Sequence, residues 1–196
     1  MNKILLWESF RSAEDIQDRR LTWLWLVIGC LLLPFTMAQT MLPLAAWLAP
    51  IFLLRFARTF RRPTVALLLI WFAQTVGKMI ALRGGWAPIL WVVETLTLFC
   101  VVRGLESTLP YVVDRLLCSR LDDKARTFVF PLALVTAEWL STLGRELNAG
   151  GLAVYSQDDS LSLLQIFSIT GMWGVIFLMG WAASTANAVW ERGFAW

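Results

Sequence analysis

The sequence predicts an all-α protein, a polytopic transmembrane helical bundle of about six spans with both termini in the cytoplasm. Hydrophobic residues make up 58% of the 196-residue chain, and the mean hydropathy is +0.64. Charged residues make up 16%, whereas a soluble domain carries about 25%. Apolar runs long enough to cross the hydrocarbon core, roughly 20 residues each, recur along the chain. Their continuity excludes a transmembrane barrel, whose strands would alternate polar and apolar residues.

The first three spans are placed by their flanking residues. The first apolar run follows Arg19 and Arg20 directly. The second is short and is expected to be broken by Pro43 and Pro50. The third begins at Pro63, directly after Arg61 and Arg62.

The last three spans follow turns or charged stretches. The fourth comes after the glycine pair at residues 84–85, and the fifth after a polar stretch at residues 103–126. The sixth exceeds the bilayer thickness, so we expect it to tilt, to kink near Gly171 or to extend into water. The predicted spans cover residues 21–39, 42–57, 63–82, 86–102, 127–143 and 161–190.

The distribution of Lys and Arg predicts the orientation. Fourteen of the 17 basic residues, Arg103 among them, fall in the two tails and in the loops after spans two and four. The other three are Lys78, Arg83 and Arg145. Because basic residues concentrate on the cytoplasmic side, we predict cytoplasmic tails at residues 1–20 and 191–196 around a transmembrane domain at residues 21–190.

The segment at residues 109–121 has apolar residues at helical spacing with charged residues between them. Two interpretations stay open: it extends the fourth helix, or it lies along the inner membrane surface as an amphipathic helix. Both are favoured over a seventh span, which would disturb the charge distribution.

Cysteine and histidine content limits the chemistry. There is no histidine, which excludes histidine triads and histidine metal sites. Cys30, Cys100 and Cys118 form no CxxC pair, and the first two lie in apolar runs, so we interpret them as small buried hydrophobic residues. No catalytic residue, metal ligand, cofactor site or nucleic-acid partner is predicted.

Charged residues inside spans are candidates for function because burying them in lipid is costly. Lys78 and Glu94 lie on the outer halves of spans three and four, joined by a short turn. We predict either a structural ion pair, or a snorkelling lysine, or a contact with a lipid headgroup at the outer leaflet. Glu138, followed by Trp139, lies in the middle of span five, and we expect it to form a hydrogen-bonded helix contact.

Two further features are singled out. A face of small residues on span six predicts close helix packing: Gly171, Gly174, Gly180 and Ser184. The outer loop at residues 145–160 contains the third group of candidate site residues, Tyr155, Ser156 and Gln157.

Residues 130–187 carry a resemblance to a known family. They read FPLALVTAEWL, then GGLAVYSQ, then LLQIFSITGMWGVIFLMGWAASTAN. This order resembles the membrane domain of the apolipoprotein N-acyltransferases, in which an apolar helix ends near Glu-Trp-Leu, a loop ends near Tyr-Ser-Gln and the next helix carries Gln and Thr-Gly-x-x-Gly. The earlier pieces MLPLAAWLAPIFLLRFAR and LRGGWAPILW match more loosely.

The resemblance implies a location and a reaction. Family members of the bacterial inner membrane have eight spans and a nitrilase-like domain on the outer side, between the last two spans. A Glu-Lys-Cys set in that domain transfers an acyl group from a phospholipid to the N-terminal amine of a lipoprotein. The chain departs from the family at Ser141, where an arginine is usual, and at Gly150–Gly151, where Pro-Trp is usual. The outer loop is expected to form part of a path for lipid acyl chains.

Three hypotheses follow. The first is a membrane half of such an acyltransferase, inactive alone, whose nitrilase-like domain belongs to a missing C-terminal part or to a separate chain; its partners are membrane lipids and lipoproteins. The second is a membrane scaffold without enzymatic activity. The third is a small transporter subunit, against which stands the lack of an inverted repeat.

Overall fold

The computed structural model describes residues 20–37, 41–82, 93–143, 153–157 and 161–192, and these residues form a helical bundle, which confirms the predicted fold class. A short 3-10 turn, Ala153–Gln157, precedes the last helix and is called the outer turn below. The helices are α1 (Arg20–Thr36, ending in a 3-10 turn at Leu33–Thr36), α2 (Pro43–Thr59), α3 (Pro63–Ala81), α4 (Val93–Leu117, followed by a 3-10 turn at Cys118–Arg120), α5 (Asp123–Thr142) and α6 (Leu161–Arg192).

Among the residues that the structure describes, three helical segments are long and apolar enough to cross a membrane. They are Pro63–Ala81, Leu96–Arg120 and Gln165–Glu191. α1 is apolar but shorter. The finding supports a helical membrane bundle, while six spans and cytoplasmic termini stay predictions.

Contacts between helix ends show how the bundle is arranged. Trp23 near the start of α1 contacts Phe60 after the end of α2, with ring centroids 5.6 Å apart. Trp25 contacts Trp190 at the end of α6, at 4.7 Å. The end at which α2, α4 and α6 finish is called the arginine end below, because it holds most of the described arginines. The outer turn and the start of α2 lie at the opposite end.

Packing follows a simple order: α3 lies against α4, α4 against α5, α5 against α6 and α6 against α2. α4 therefore lies between α3 and α5. Phe56 of α2 and Phe130 of α5 are fully buried in the larger apolar cluster. Gly180 brings α6 close to α5, since a methyl group there would lie 2.8 Å from Pro131 Cα.

The structure shows the first of the two interpretations of residues 109–121, because the fourth helix extends beyond residue 102, where the fourth span was predicted to end. α4 continues to Leu117, and the segment at residues 109–121 extends this helix. The reason is that its inner face is buried: Tyr111 packs on Phe130 at 5.1 Å, and Asp114 is 1% exposed. The predicted start of this span, residues 86–92, lies outside the described residues.

α6 departs from helical geometry at Gly171, with φ +67° and ψ −174°. Residues with a side chain rarely adopt this conformation, whereas glycine does so at little cost. Of the three expectations for the long sixth span, the structure therefore shows the kink.

Candidate functional site

Four charged side chains meet in the interior of the bundle where α3, α4 and α5 adjoin. We call Lys78, Arg103, Glu106 and Glu138 the charged cluster. Arg103 Nη1 donates to Glu106 Oε2 at 2.6 Å, and Arg103 Nη2 lies 4.0 Å from Glu138 Oε2. Lys78 interacts electrostatically with Glu138 and with Arg103. Arg103 thus lies within 4.0 Å of two glutamates, Glu106 on α4 and Glu138 on α5.

The local sequence helps to explain why the side chains of the charged cluster lie together. Arg103 and Glu106 are three residues apart on α4, so they share one face of the helix. Gly104 permits the close approach of α3, because a methyl group at that position would lie 3.1 Å from the Thr75 backbone nitrogen. Lys78 lies in the last turn of α3 and Glu138 lies in the second half of α5. Lys78 and Glu138 therefore come from the two helices that pack against α4.

A cavity of about 80 Å³ adjoins the charged cluster. One wall is largely apolar and comes from α1, α2, α6 and the outer turn. The other wall comes from α3, α4 and α5 and carries most of the polar groups. The polar side chains lining the cavity are Thr36, Gln74, Lys78, Ser107, Tyr111 and Glu138.

The cavity is a polar site within an apolar bundle. Gln74, Lys78 and Tyr111 are each at least nine-tenths buried. Buried polar groups require hydrogen-bond partners, and a cavity of this size has room for several water molecules. The charged cluster contains two cations and two carboxylates, so it is balanced as a whole. Such a site suits small polar molecules or the polar part of an amphipathic ligand more than a free ion.

Of the candidate site residues predicted inside the spans, the structure places two at the cavity and one on the outer surface of the bundle. Lys78 and Glu138 line the same cavity. Trp139 lies on the outer surface of α5 and is exposed, so it does not contribute to this cavity. The side chain of Glu94 lies outside the described residues, and its pairing with Lys78 stays a prediction.

The predicted residues of the outer loop lie beside the cavity in the outer turn. Gln157 is buried, its Oε1 accepts from Trp47 Nε1 at 3.1 Å, and its Nε2 donates to Pro43 O at 3.0 Å and to Ser156 Oγ at 2.9 Å. Ser156 is buried, and Tyr155 is half-buried. Gln157 therefore fastens the outer turn to α2. A path for acyl chains through this loop stays a prediction.

Sequence reasoning missed Arg103, which was assigned to a cytoplasmic loop. In the structure Arg103 is 6% exposed and lies within the apolar segment Leu96–Arg120. The available signal was the helical spacing of apolar residues after position 103, which indicates one continuous helix rather than a loop.

A second polar network lies at the arginine end, and it was not predicted from the sequence either. Arg58 forms two hydrogen bonds with Asp114, Nε to Oδ2 at 2.9 Å and Nη2 to Oδ1 at 2.7 Å. The Cys118 thiol donates to Asp114 Oδ1 at 3.0 Å. Arg115 Nη1 and Nη2 donate to backbone carbonyls at the end of α2, including Phe60 O at 3.0 Å. This network joins α2 to α4 and satisfies carbonyls that the end of a helix leaves unpaired.

No group of three or more Cys, Asp or Glu side chains is placed to hold a metal ion within the part of the chain that the structure describes. The charged cluster and the cavity offer hydrogen bonding and charge pairing by Lys, Arg, Glu, Gln and Tyr side chains.

Comparison with known proteins identifies the family. Residues 29–185 match the family described as the apolipoprotein N-acyltransferase N-terminal domain. No curated protein and no solved structure matches the chain. The matched region spans α2 to α5 completely, together with the second half of α1 and most of α6, and it contains the charged cluster and the cavity. The chain belongs to the apolipoprotein N-acyltransferase N-terminal domain family.

Proposed function

We propose that this chain is a multi-pass domain of the bacterial inner membrane that supports the transfer of an acyl group from a phospholipid to the N-terminal amine of a lipoprotein. The observation that carries the proposal is the family match over residues 29–185. In this proposal no residue of the bundle is catalytic, and the bundle is inactive alone. A nitrilase-like unit with a Glu-Lys-Cys set supplies the nucleophile.

The position of the cavity supports a role in handling lipid. It lies beside the outer turn, at the end of the bundle opposite the arginine end. With the predicted orientation, this is the periplasmic side, on which the family resemblance places the catalytic unit. Buried ionisable groups inside a membrane domain are costly and are retained mainly where they serve a function.

Acyl transfer in proteoliposomes tests the proposal. The purified chain is reconstituted with a phospholipid carrying a labelled acyl chain and with a lipoprotein acceptor, in the presence or absence of a separately purified nitrilase-like domain. We expect no acylated acceptor with the chain alone, and acylation by the domain that increases when the chain is present. Mass spectrometry of the acceptor measures the added acyl group.

The matched control is the same nitrilase-like domain with its nucleophilic cysteine changed to alanine, which should abolish transfer. Equal transfer by the intact domain with and without this chain would contradict the proposal. It would favour the alternative of a membrane scaffold that does not support the reaction.

A further inference from the structure

Five basic side chains are exposed at the arginine end of the bundle. We call them the basic rim: Arg20, Arg61, Arg62, Arg120 and Lys124. They come from three segments: the start of α1, the turn between α2 and α3, and the 3-10 turn after α4 together with the first turn of α5. The contact of Trp23 with Phe60 and the hydrogen bonds of Arg115 to the end of α2 hold these three segments at the same end.

The structure separates the acidic residues of this end from the rim. Asp114 points inward to Arg58, and both side chains are nearly fully buried. Glu191 pairs with Arg55 at 3.4 Å and with Arg126 at 3.2 Å. Two of the carboxylates that could neutralise the rim are therefore already engaged by other arginines.

The rim itself is not paired in this way. Within the described ranges, none of its five side chains takes part in an ion pair of 4.0 Å or less. Asp122 is an exposed acidic residue beside it. Among the side chains that the structure describes, this one exposed carboxylate does not balance five cations, so the described surface of the rim carries a positive excess.

Apolar and aromatic side chains lie next to the basic rim. Leu117 and Leu121 flank Arg120 and are exposed, as are Trp23 near Arg20 and Trp190 at the end of α6. Tryptophan is enriched where hydrocarbon meets headgroups. The rim is therefore placed at the level of lipid headgroups rather than far out in water.

We propose that the basic rim binds the headgroups of anionic phospholipids in the adjoining leaflet. Cationic side chains next to a membrane surface attract anionic lipids and do not gain in the same way from zwitterionic ones. This inference does not depend on the proposed acyltransferase role, since it concerns the opposite end of the bundle and a lipid that is bound rather than consumed.

The test measures lipids retained by the purified chain. The chain is reconstituted in vesicles of phosphatidylcholine with phosphatidylglycerol as a minor component, then extracted gently and examined by native mass spectrometry. We expect phosphatidylglycerol to be enriched over its share in the vesicle. Each cation removed should weaken its binding by about fivefold at low salt, and high salt should weaken it further because exposed charges are screened.

The variant carries Arg61→Gln, Arg62→Gln, Arg120→Gln and Lys124→Gln. Because these side chains are exposed, the helical content and the monodispersity of the variant should match those of the unmodified chain. The matched control carries lysine at positions 61, 62 and 120, keeps the charge, and should keep the enrichment.

Two outcomes would overturn the proposal. One is unchanged enrichment of phosphatidylglycerol in the glutamine variant. The other is displacement of the lipid by inorganic phosphate at constant ionic strength, which would indicate a site for soluble anions. Neither outcome bears on acyl transfer, so failure here is distinguishable from failure of the proposed function.

Discussion

Arg58 and Asp114 form a two-point ion pair inside the bundle, with Nε–Oδ2 at 2.9 Å and Nη2–Oδ1 at 2.7 Å. The arginine side chain is 6% exposed and the aspartate 1%. The pair joins the last turn of α2 to the second half of α4, two helices that are not consecutive in the chain. Ser184 of α6 lies 3.5 Å from Arg58 Nη2, so three helices meet at one guanidinium.

Replacing Asp114 by alanine should strongly destabilise the bundle. The change leaves the buried charge of Arg58 without its partner, and breaking a buried pair in this way costs about 3–5 kcal/mol. Thermal unfolding of the purified chain in detergent measures the loss. Glu191→Gln is the control, because its ion pairs are partly exposed and should be worth about 1 kcal/mol or less. Equal effects of the two changes would contradict the argument.

Replacing Gln157 by leucine should loosen the outer turn. The change removes the hydrogen bonds to Trp47 and to the Pro43 carbonyl and leaves buried groups unpaired, at a cost of about 1–3 kcal/mol. We expect faster amide hydrogen exchange at Ala153–Gln157 with little change in α3. Tyr155→Phe is a neighbouring control that should leave exchange as it is. If exchange in the outer turn is the same in both variants, Gln157 does not fasten it.

Lys78 and Glu138 should be energetically coupled. Lys78→Met removes a cation that Glu138 interacts with, and Glu138→Gln removes the carboxylate. In a double-mutant cycle on unfolding free energy, neighbouring charges couple by about 0.5–3 kcal/mol. A parallel cycle of Lys78→Met with Glu94→Gln tests the pairing predicted from sequence. Additive effects of the Lys78 and Glu138 changes would show that the two do not interact.

Replacing Gly180 by alanine should destabilise the contact between α5 and α6. The new methyl group would lie 2.8 Å from Pro131 Cα, a backbone atom that cannot move aside by a rotamer change. Overpacking of this kind costs about 1–3 kcal/mol. Ala183→Gly on the same helix does not add volume and serves as a comparison. A Gly180→Ala variant that unfolds at the same temperature as the unmodified chain would rule out tight packing at this site.

The helices were predictable from sequence because length and hydropathy are local properties. α3 and α6 agree with apolar runs that can be read directly, and proline marks the start of α2 and of α3. A kink near Gly171 was predictable because glycine adopts non-helical backbone conformations at little cost. The extension of α4 was one of two interpretations that the helical spacing at residues 109–121 allowed. The burial of Arg103 was not predictable, because it depends on tertiary packing.

The partners of the site residues could not be predicted, because they come from distant parts of the chain. Glu138 was recognised, yet its neighbours Lys78 and Arg103 lie on α3 and α4. They meet Glu138 only once α3 packs against α4 and α4 packs against α5. Gln157 was recognised as part of a distinctive loop. Its bonds to Trp47 and Pro43 depend on where α2 begins relative to the outer turn.

The position of Arg103 beside Glu138 predicts how sequences in this family should vary. The sequence resemblance places an arginine directly after Glu-Trp-Leu, where this chain has Ser141, and here a cation reaches Glu138 from α4 instead. The two positions are 38 residues apart along the chain, yet Arg103 lies 4.0 Å from the Glu138 carboxylate, and Ser141 follows Glu138 by three residues on α5, a spacing at which helical side chains are neighbours. Substitutions at them should therefore covary: relatives with arginine after Glu-Trp-Leu should tolerate an uncharged residue at the position of Arg103, and relatives without it should not.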